Sequence, residues 1–120
     1  MTTLRKIAVG SRTSLLSLAQ TDELLRPLRE LSPHTEFVIV PMATIGDRRK
    51  SASLLSMARG MFVKEIEAAL LGGEIDFAVH SAKDLTPKSV DGLVLAAFGE
   101  RLDPRDVQVN RWALPFDELP

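Results

Sequence analysis

Apolar stretches of two different periods alternate along this chain, and that alternation restricts it to a narrow set of folds. Ile7-Ala8-Val9-Gly10 reads as a first strand. Ser14 then offers an N-cap, and Leu15, Leu18, Ala19, Leu24, Leu25, Leu28 and Leu31 recur at helical spacing. Pro27 falls inside that helix, where it removes a hydrogen bond and crowds the preceding turn, so a kink or a nearby stop is expected. Phe37 to Met42 reads as a second strand, with Pro41 suited only to its end or to an edge. Between Met61 and Leu71, the spacing of Phe62, Ile66, Ala69 and Leu70 predicts a second helix, and Gly72-Gly73 supplies a stop in which left-handed backbone is cheap. Ile75 to Val79 reads as a buried strand. Leu93 to Phe98 and Val107-Gln108-Val109 read as two more, the last entered through Asp103-Pro104-Arg105-Asp106. The order β-α-β-α-β-β-β implies an α/β domain: a largely parallel (mixed) sheet flanked by helices, with right-handed crossovers.

Composition bounds the size and the partners. With 120 residues, 45% of them hydrophobic and 26% charged, the chain can build one core and is too short for two ordinary domains. Fifteen basic against sixteen acidic residues give a net charge of -1, so no broad attraction to nucleic acid or to a membrane surface is expected. No apolar run approaches the roughly 20 residues of a membrane helix, and the N-terminus lacks the basic-then-apolar layout of a secretory signal, which makes the cytoplasm the expected location. The absence of cysteine excludes disulfides, thiolate metal ligands and cysteine nucleophiles within these residues. His34 and His80 are too few and too far apart to suggest a metal centre.

Chemistry concentrates in Asp76-Phe77-Ala78-Val79-His80-Ser81-Ala82-Lys83-Asp84. A short apolar strand there delivers a hydroxyl, an ammonium and a carboxylate to one small space, beyond the carboxyl end of a strand, where open α/β sheets collect ligands. Lys83 and Asp84 equally suit a solvated turn pair. Arg12, with Ser11, Thr13 and Ser14, follows the first strand and opens a helix, so a guanidinium and free N–H groups can converge on an anion; an ordinary N-cap beside a surface arginine is the plainer alternative. Thr44 to Ser53, with Asp47 and the basic run Arg48-Arg49-Lys50, has no apolar periodicity and reads as a mobile loop, either solvated or serving as a lid. His80 suits a hydrogen-bonded structural role better than that of a catalytic base. Phe62 is by default a core residue.

Five ordered blocks carry a resemblance: Val9 to Gln20, Thr44-Ile45-Gly46-Asp47, Gly60 to Glu67, Asp76 to Asp84, and Arg101 to Asp106. In this order they resemble the porphobilinogen deaminase (hydroxymethylbilane synthase) family, over Lys6 to about Trp112, and match only the amino-terminal third of such enzymes. The resemblance implies a periplasmic-binding-protein-like fold. It makes residues 1–100 most of the first of three domains, and 101–120 a hinge and first strand leading into a second.

The resemblance also implies an activity. Family enzymes are transferases of tetrapyrrole (porphyrin, heme) biosynthesis that join four porphobilinogen molecules head to tail into hydroxymethylbilane, releasing ammonia each time, on a covalently attached dipyrromethane. Asp84 matches the carboxylate that stabilises positive charge on a pyrrole nitrogen and assists proton transfer. Arg12, Ser14, Ser81 and Lys83 match positions that hold the acetate and propionate arms. Phe62 matches an aromatic residue lying against a pyrrole ring, and the loop from Asp47 to Ala58 matches a flexible lid. Arg59 stands where a substrate-binding lysine is usual. Leu55 stands where many members place a second lysine, which reduces the lid's positive charge or moves it to Arg48, Arg49 and Lys50. The attachment cysteine is absent from this chain, so these 120 residues alone are expected to be inactive. Porphobilinogen, linear pyrrole chains and the enzyme's remaining domains are the implied partners. The complete enzyme is expected to be a monomer, while this portion exposes a sheet edge on which it can self-associate. Two other classes share the fold: a non-catalytic binding module for a small carboxylated ligand, and an interaction-only fragment. A pure binder has no use for Asp84, which repels carboxylates.

Overall fold

A computed structural model of the chain describes residues 4–44, 63–107 and 109–118. Its centre is a parallel three-stranded sheet in the order β2-β1-β3, built from β1 (Arg5–Arg12), β2 (Thr35–Met42) and β3 (Phe77–Ala78). β1 pairs along its whole length with β2, from Arg5 opposite Thr35 to Arg12 opposite Met42, and with β3 at Val9 opposite Phe77 and Gly10 opposite Ala78. Helix α1 (Leu15–Leu31) connects the first two strands, and α2 (Lys64–Leu71) precedes the third. The architecture is the expected α/β one.

Alternation along β1 assigns each helix to a face. A side chain added at Gly10 would meet Ile75 and Ile66, and Ala8 packs with Ile66, Ala69 and Ile75, so even positions face α2. Odd positions face α1: Ser11 Oγ lies 3.0 Å from Thr21 Oγ1, and Val9, Ser11, Thr21 and Leu25 are fully buried. The Thr21 hydroxyl also donates to the Ser17 carbonyl at 2.8 Å, so this buried polar pair is satisfied while it ties α1 to the end of β1.

The helix ends follow from local chemistry. Ser14, in extended backbone, accepts the Ser17 N–H at 3.2 Å as the N-cap of α1. At the other helix, Gly73 takes φ +73° while its N–H donates to Leu70 and that of Glu74 donates to Ala69, a Schellman stop. Gly72 stays right-handed. Pro41 lies on β2, an edge of the sheet, as its missing donor requires.

Three expectations need correction, and one is met: helix α1 ends at Leu31, one turn beyond Pro27, as a nearby stop requires. Glu23 and Pro27 both lie on its exposed side, so the carbonyl that loses its donor opens to water. The third strand is shorter than Ile75–Val79: only Phe77 and Ala78 form regular ladder, although Asp76 and Val79 each donate to β1, to Ala8 at 2.8 Å and Gly10 at 3.1 Å. Leu93–Phe98 is not a strand, and neither Val107 nor Val109 lies in one. Val94, Leu95, Phe98, Val107 and Val109 are exposed, and among the described residues none of them has a neighbouring strand to complete the pairing that an apolar run needs. The second helix is described from Lys64 onward; Met61 and Phe62 lie outside the described residues, as does the expected loop beyond Thr44. Among the described residues no helix is long and apolar enough to cross a membrane.

Candidate functional site

β1 and β3 point their carboxyl ends at the same place. β1 ends at Arg12, and the chain leaving β3 folds into a single 3-10 turn, Ala82–Asp84, capped by the Asp84 N–H to Ser81 carbonyl bond at 3.0 Å. Arg12 Nη1 and Asp84 Oδ2 stand 3.7 Å apart, each side chain 20% exposed, half-withdrawn from water at the edge of a cleft. The cleft measures about 810 Å³, within the roughly 300–1,000 Å³ of small-molecule sites.

Of the positions expected from sequence, Arg12, Ser14, Ser81, Lys83 and Asp84 all line this cleft. Sixty-seven residues separate Ser14 from Ser81, so their convergence is a product of the parallel sheet. Ser14 is occupied as a helix cap, and its hydroxyl donates to Ser17 Oγ at 2.8 Å. Ser81 Oγ donates to Gln20 Oε1 at 3.2 Å, which joins the turn to the second turn of α1. Arg59, Phe62 and the lid residues Asp47, Arg48, Arg49 and Lys50 lie outside the described residues.

Six lining residues were not among those expected from sequence: Leu16, Ser17, Gln20, Ala82, Arg101 and Pro104. Gln20 was legible in principle, since it follows Leu16 by four positions on the same helical face. Arg101 and Pro104 arrive on irregular chain, where no periodicity points inward. That chain is held locally: Asp103 Oδ1 accepts the Arg105 N–H at 3.0 Å, bridging Pro104, and the two side chains form an ion pair that holds the exposed Asp103 carboxyl below its ordinary range.

Charge in the cleft is uneven. Arg12 faces Asp84, whereas Lys83 and Arg101 have no carboxylate partner among the described residues. Two such cations beside one cleft suit an anion with more than one carboxylate. His80 is half-buried, within electrostatic reach of Asp84 and Arg12. Burial lowers its pKa from 6.5, Asp84 opposes that by attraction to the charged ring, and Arg12 reinforces it. A neutral imidazole near pH 7 follows. Among the described residues no three acidic or histidine side chains are grouped to hold a metal.

The comparisons with known proteins converge. Residues 7–120 match the family model described as porphobilinogen deaminase, dipyromethane cofactor binding domain, a domain of the periplasmic-binding-protein-like fold. The chain is 47% identical over 117 residues to a porphobilinogen deaminase of Pelotomaculum thermopropionicum, covering 97% of this chain and 38% of that protein. It is 46% identical to one of Shouchella clausii over 98% of this chain and 38% of the relative. Against one of Bacillus subtilis the figures are 42%, 97% and 37%. The chain thus spans under two fifths of the length of these curated relatives. With a family match over nearly all its residues and a cleft formed by that match's polar blocks, the chain belongs to the porphobilinogen deaminase family.

Proposed function

We propose that this chain is the greater part of the first domain of a porphobilinogen deaminase, a transferase that condenses four porphobilinogen molecules into hydroxymethylbilane with release of ammonia. The observation that carries the proposal is Asp84, a carboxylate held beside Arg12 in a cleft whose other charged lining residues are all cations. A cleft built only to capture carboxylates gains nothing from Asp84. One that must stabilise a cationic pyrrole nitrogen while gripping carboxylate arms needs both.

The lining suits dipyrromethane, whose acetate and propionate arms call for the hydroxyls and unpartnered cations found here. Lys83, Ser81, Ser14 and Arg12 would hold those arms, with Arg59 and Phe62 completing the grip on the substrate. When bound, dipyrromethane supplies the pyrrole carbon to which the first porphobilinogen is joined. The chain's own part is positional and electrostatic. Lys83 neutralises carboxylates, the Ser81–Gln20 hydrogen bond fixes the turn, and Asp84 attracts the pyrrole N–H and holds its proton as charge develops. Asp47, Arg48, Arg49 and Lys50, which lie outside the described residues, would serve as the lid that the family resemblance implies.

Because these 120 residues contain no cysteine, the covalent attachment and the turnover belong to a longer polypeptide. The exposed apolar residues from Val94 to Val109 fit a continuation into a second domain from about residue 101. Expressed alone, the chain is expected to self-associate along its sheet edges and to act in the cytoplasm only as part of the complete enzyme. The direct test is to read the coding sequence past Pro120 and assay its product with porphobilinogen. An uninterrupted reading frame carrying a cysteine and yielding a linear tetrapyrrole is expected. A stop codon after Pro120 would overturn the proposal.

A further inference from the structure

We infer that Asp76 is a positioning residue for the cleft, fixing the register of β3 on β1 and through it the place of the Ser81–Asp84 turn against Arg12. The Asp76 N–H donates to the Ala8 carbonyl at 2.8 Å, and Asp76 Oδ2 accepts the Ala8 N–H at 2.7 Å, so one residue of β1 is gripped from both sides by one residue of the chain entering β3.

The second bond replaces one that the fold withholds. The register of Val9 opposite Phe77 puts Asp76 opposite Ala8, and a regular parallel ladder would there bond the Ala8 N–H to the Ile75 carbonyl. Ile75 follows directly on the stop of α2, where the Glu74 N–H bonds to Ala69 at 2.9 Å, and regular strand has not yet begun there. The carboxylate takes the place of that missing carbonyl. Only Phe77 and Ala78 form regular ladder afterwards, a pairing too short to hold its own register. A slip by one residue would send Ser81, Lys83 and Asp84 to the wrong side of the sheet end, away from Arg12. Asp76 itself lies outside the cleft and its side chain is exposed, so its effect on the site passes through the strand.

Catalytic consequences rest on the function proposed above, so the test has two independent readouts in the full-length protein: hydrogen exchange at the Ala8 amide with the titration midpoint of His80, and kcat against KM with porphobilinogen. Asp76→Asn keeps an oxygen acceptor and loses the charge. Asp76→Glu keeps the charge and pushes the carboxylate past the amide. Asp76→Asn is expected to leave Ala8 protection, the His80 midpoint and kcat close to wild type. Asp76→Glu is expected to raise Ala8 exchange at least tenfold, to move the His80 midpoint towards its ordinary value and to lower kcat more than it raises KM. The same losses in Asp76→Asn, or wild-type values in Asp76→Glu, would overturn the inference. A wild-type protein without turnover would sink the proposed function, while the exchange and titration results would still decide the role of Asp76.

Discussion

Arg12 and Asp84 face each other at 3.7 Å from the ends of two different parallel chain segments, one on β1 and the other on the turn that follows β3. The pair holds a carboxylate in place in a cleft whose other charged lining residues are cations. Arg12 offsets the repulsion that Asp84 would exert on a carboxylated ligand. Removing Arg12 alone would leave that repulsion unscreened, so Arg12→Ala is expected to weaken ligand binding more than Arg12→Ala combined with Asp84→Asn. Calorimetry with a dipyrrole carrying four carboxylates, on the full-length protein lacking its attached group, checks this; equal losses would show that Asp84 does not repel the ligand once Arg12 is removed.

Lys83 and Arg101 line the cleft without a carboxylate partner among the described residues. Each is expected to gain one on binding. Lys83→Ala and Arg101→Ala should each lower affinity for the same dipyrrole by roughly tenfold to a hundredfold, the range of about 1.5–3 kcal/mol for a hydrogen bond to a charged group. Lys6→Ala, which removes an exposed partner of Glu36 on β1, should leave affinity unchanged. Full affinity in Arg101→Ala would remove that residue from the site.

His80 makes the fold sensitive to acid. Its folded pKa lies below the unfolded value of 6.5, so the unfolded chain binds the proton more readily. This contribution leaves stability intact above about pH 6.5 and erodes it as pH falls from there towards the lowered folded value. Denaturant midpoints between pH 5 and 8 check the sign, and His80→Gln should flatten the profile. Since Asp84 raises the His80 pKa, Asp84→Asn should lower the midpoint followed by NMR; a rise would contradict the electrostatics described here.

Gly10 is required by packing. A methyl group at this position would collide with Ile75 Cδ1 inside the core formed with Ile66 and Ala69. Gly10→Ala should cost about 1–3 kcal/mol of stability, the usual penalty of overpacking. A paired Ile75→Val change should recover part of it. Urea melts of the two variants decide, and an unchanged midpoint in Gly10→Ala would show that Ile75 yields freely.

Ser14 caps α1 through its bond to the Ser17 N–H, and its replacement by alanine should cost roughly 1 kcal/mol. Ser14→Asp restores a cap but adds a negative charge to the cleft. It should therefore recover stability without recovering ligand affinity, whereas recovery of both would argue that Ser14 is a cap alone.

What could be read in the sequence was what depends on neighbours along the chain. The cap at Ser14, the left-handed Gly73 and the edge position implied by Pro41 each follow from two or three adjacent residues. The motif ending in Lys83 and Asp84 was legible because its polar residues follow an apolar strand directly. Gln20 and Arg101 were missed because their roles exist only once α1 and the irregular chain near Pro104 meet the turn. The role of Asp76 depends on Ala8, 68 residues away. Leu93–Phe98 misled for the opposite reason: its composition asks for a strand, but pairing is a property of two segments, and the second is missing among the described residues.

The central claim is that Asp84 is the reacting centre's carboxylate, and Asp84→Asn in the full-length enzyme tests it most directly. The variant should fold, carry its dipyrromethane and bind porphobilinogen, yet show elongation reduced by several orders of magnitude in single-turnover assays. Elongation at a near-normal rate would contradict the claim and leave the cleft as a binding site for carboxylates.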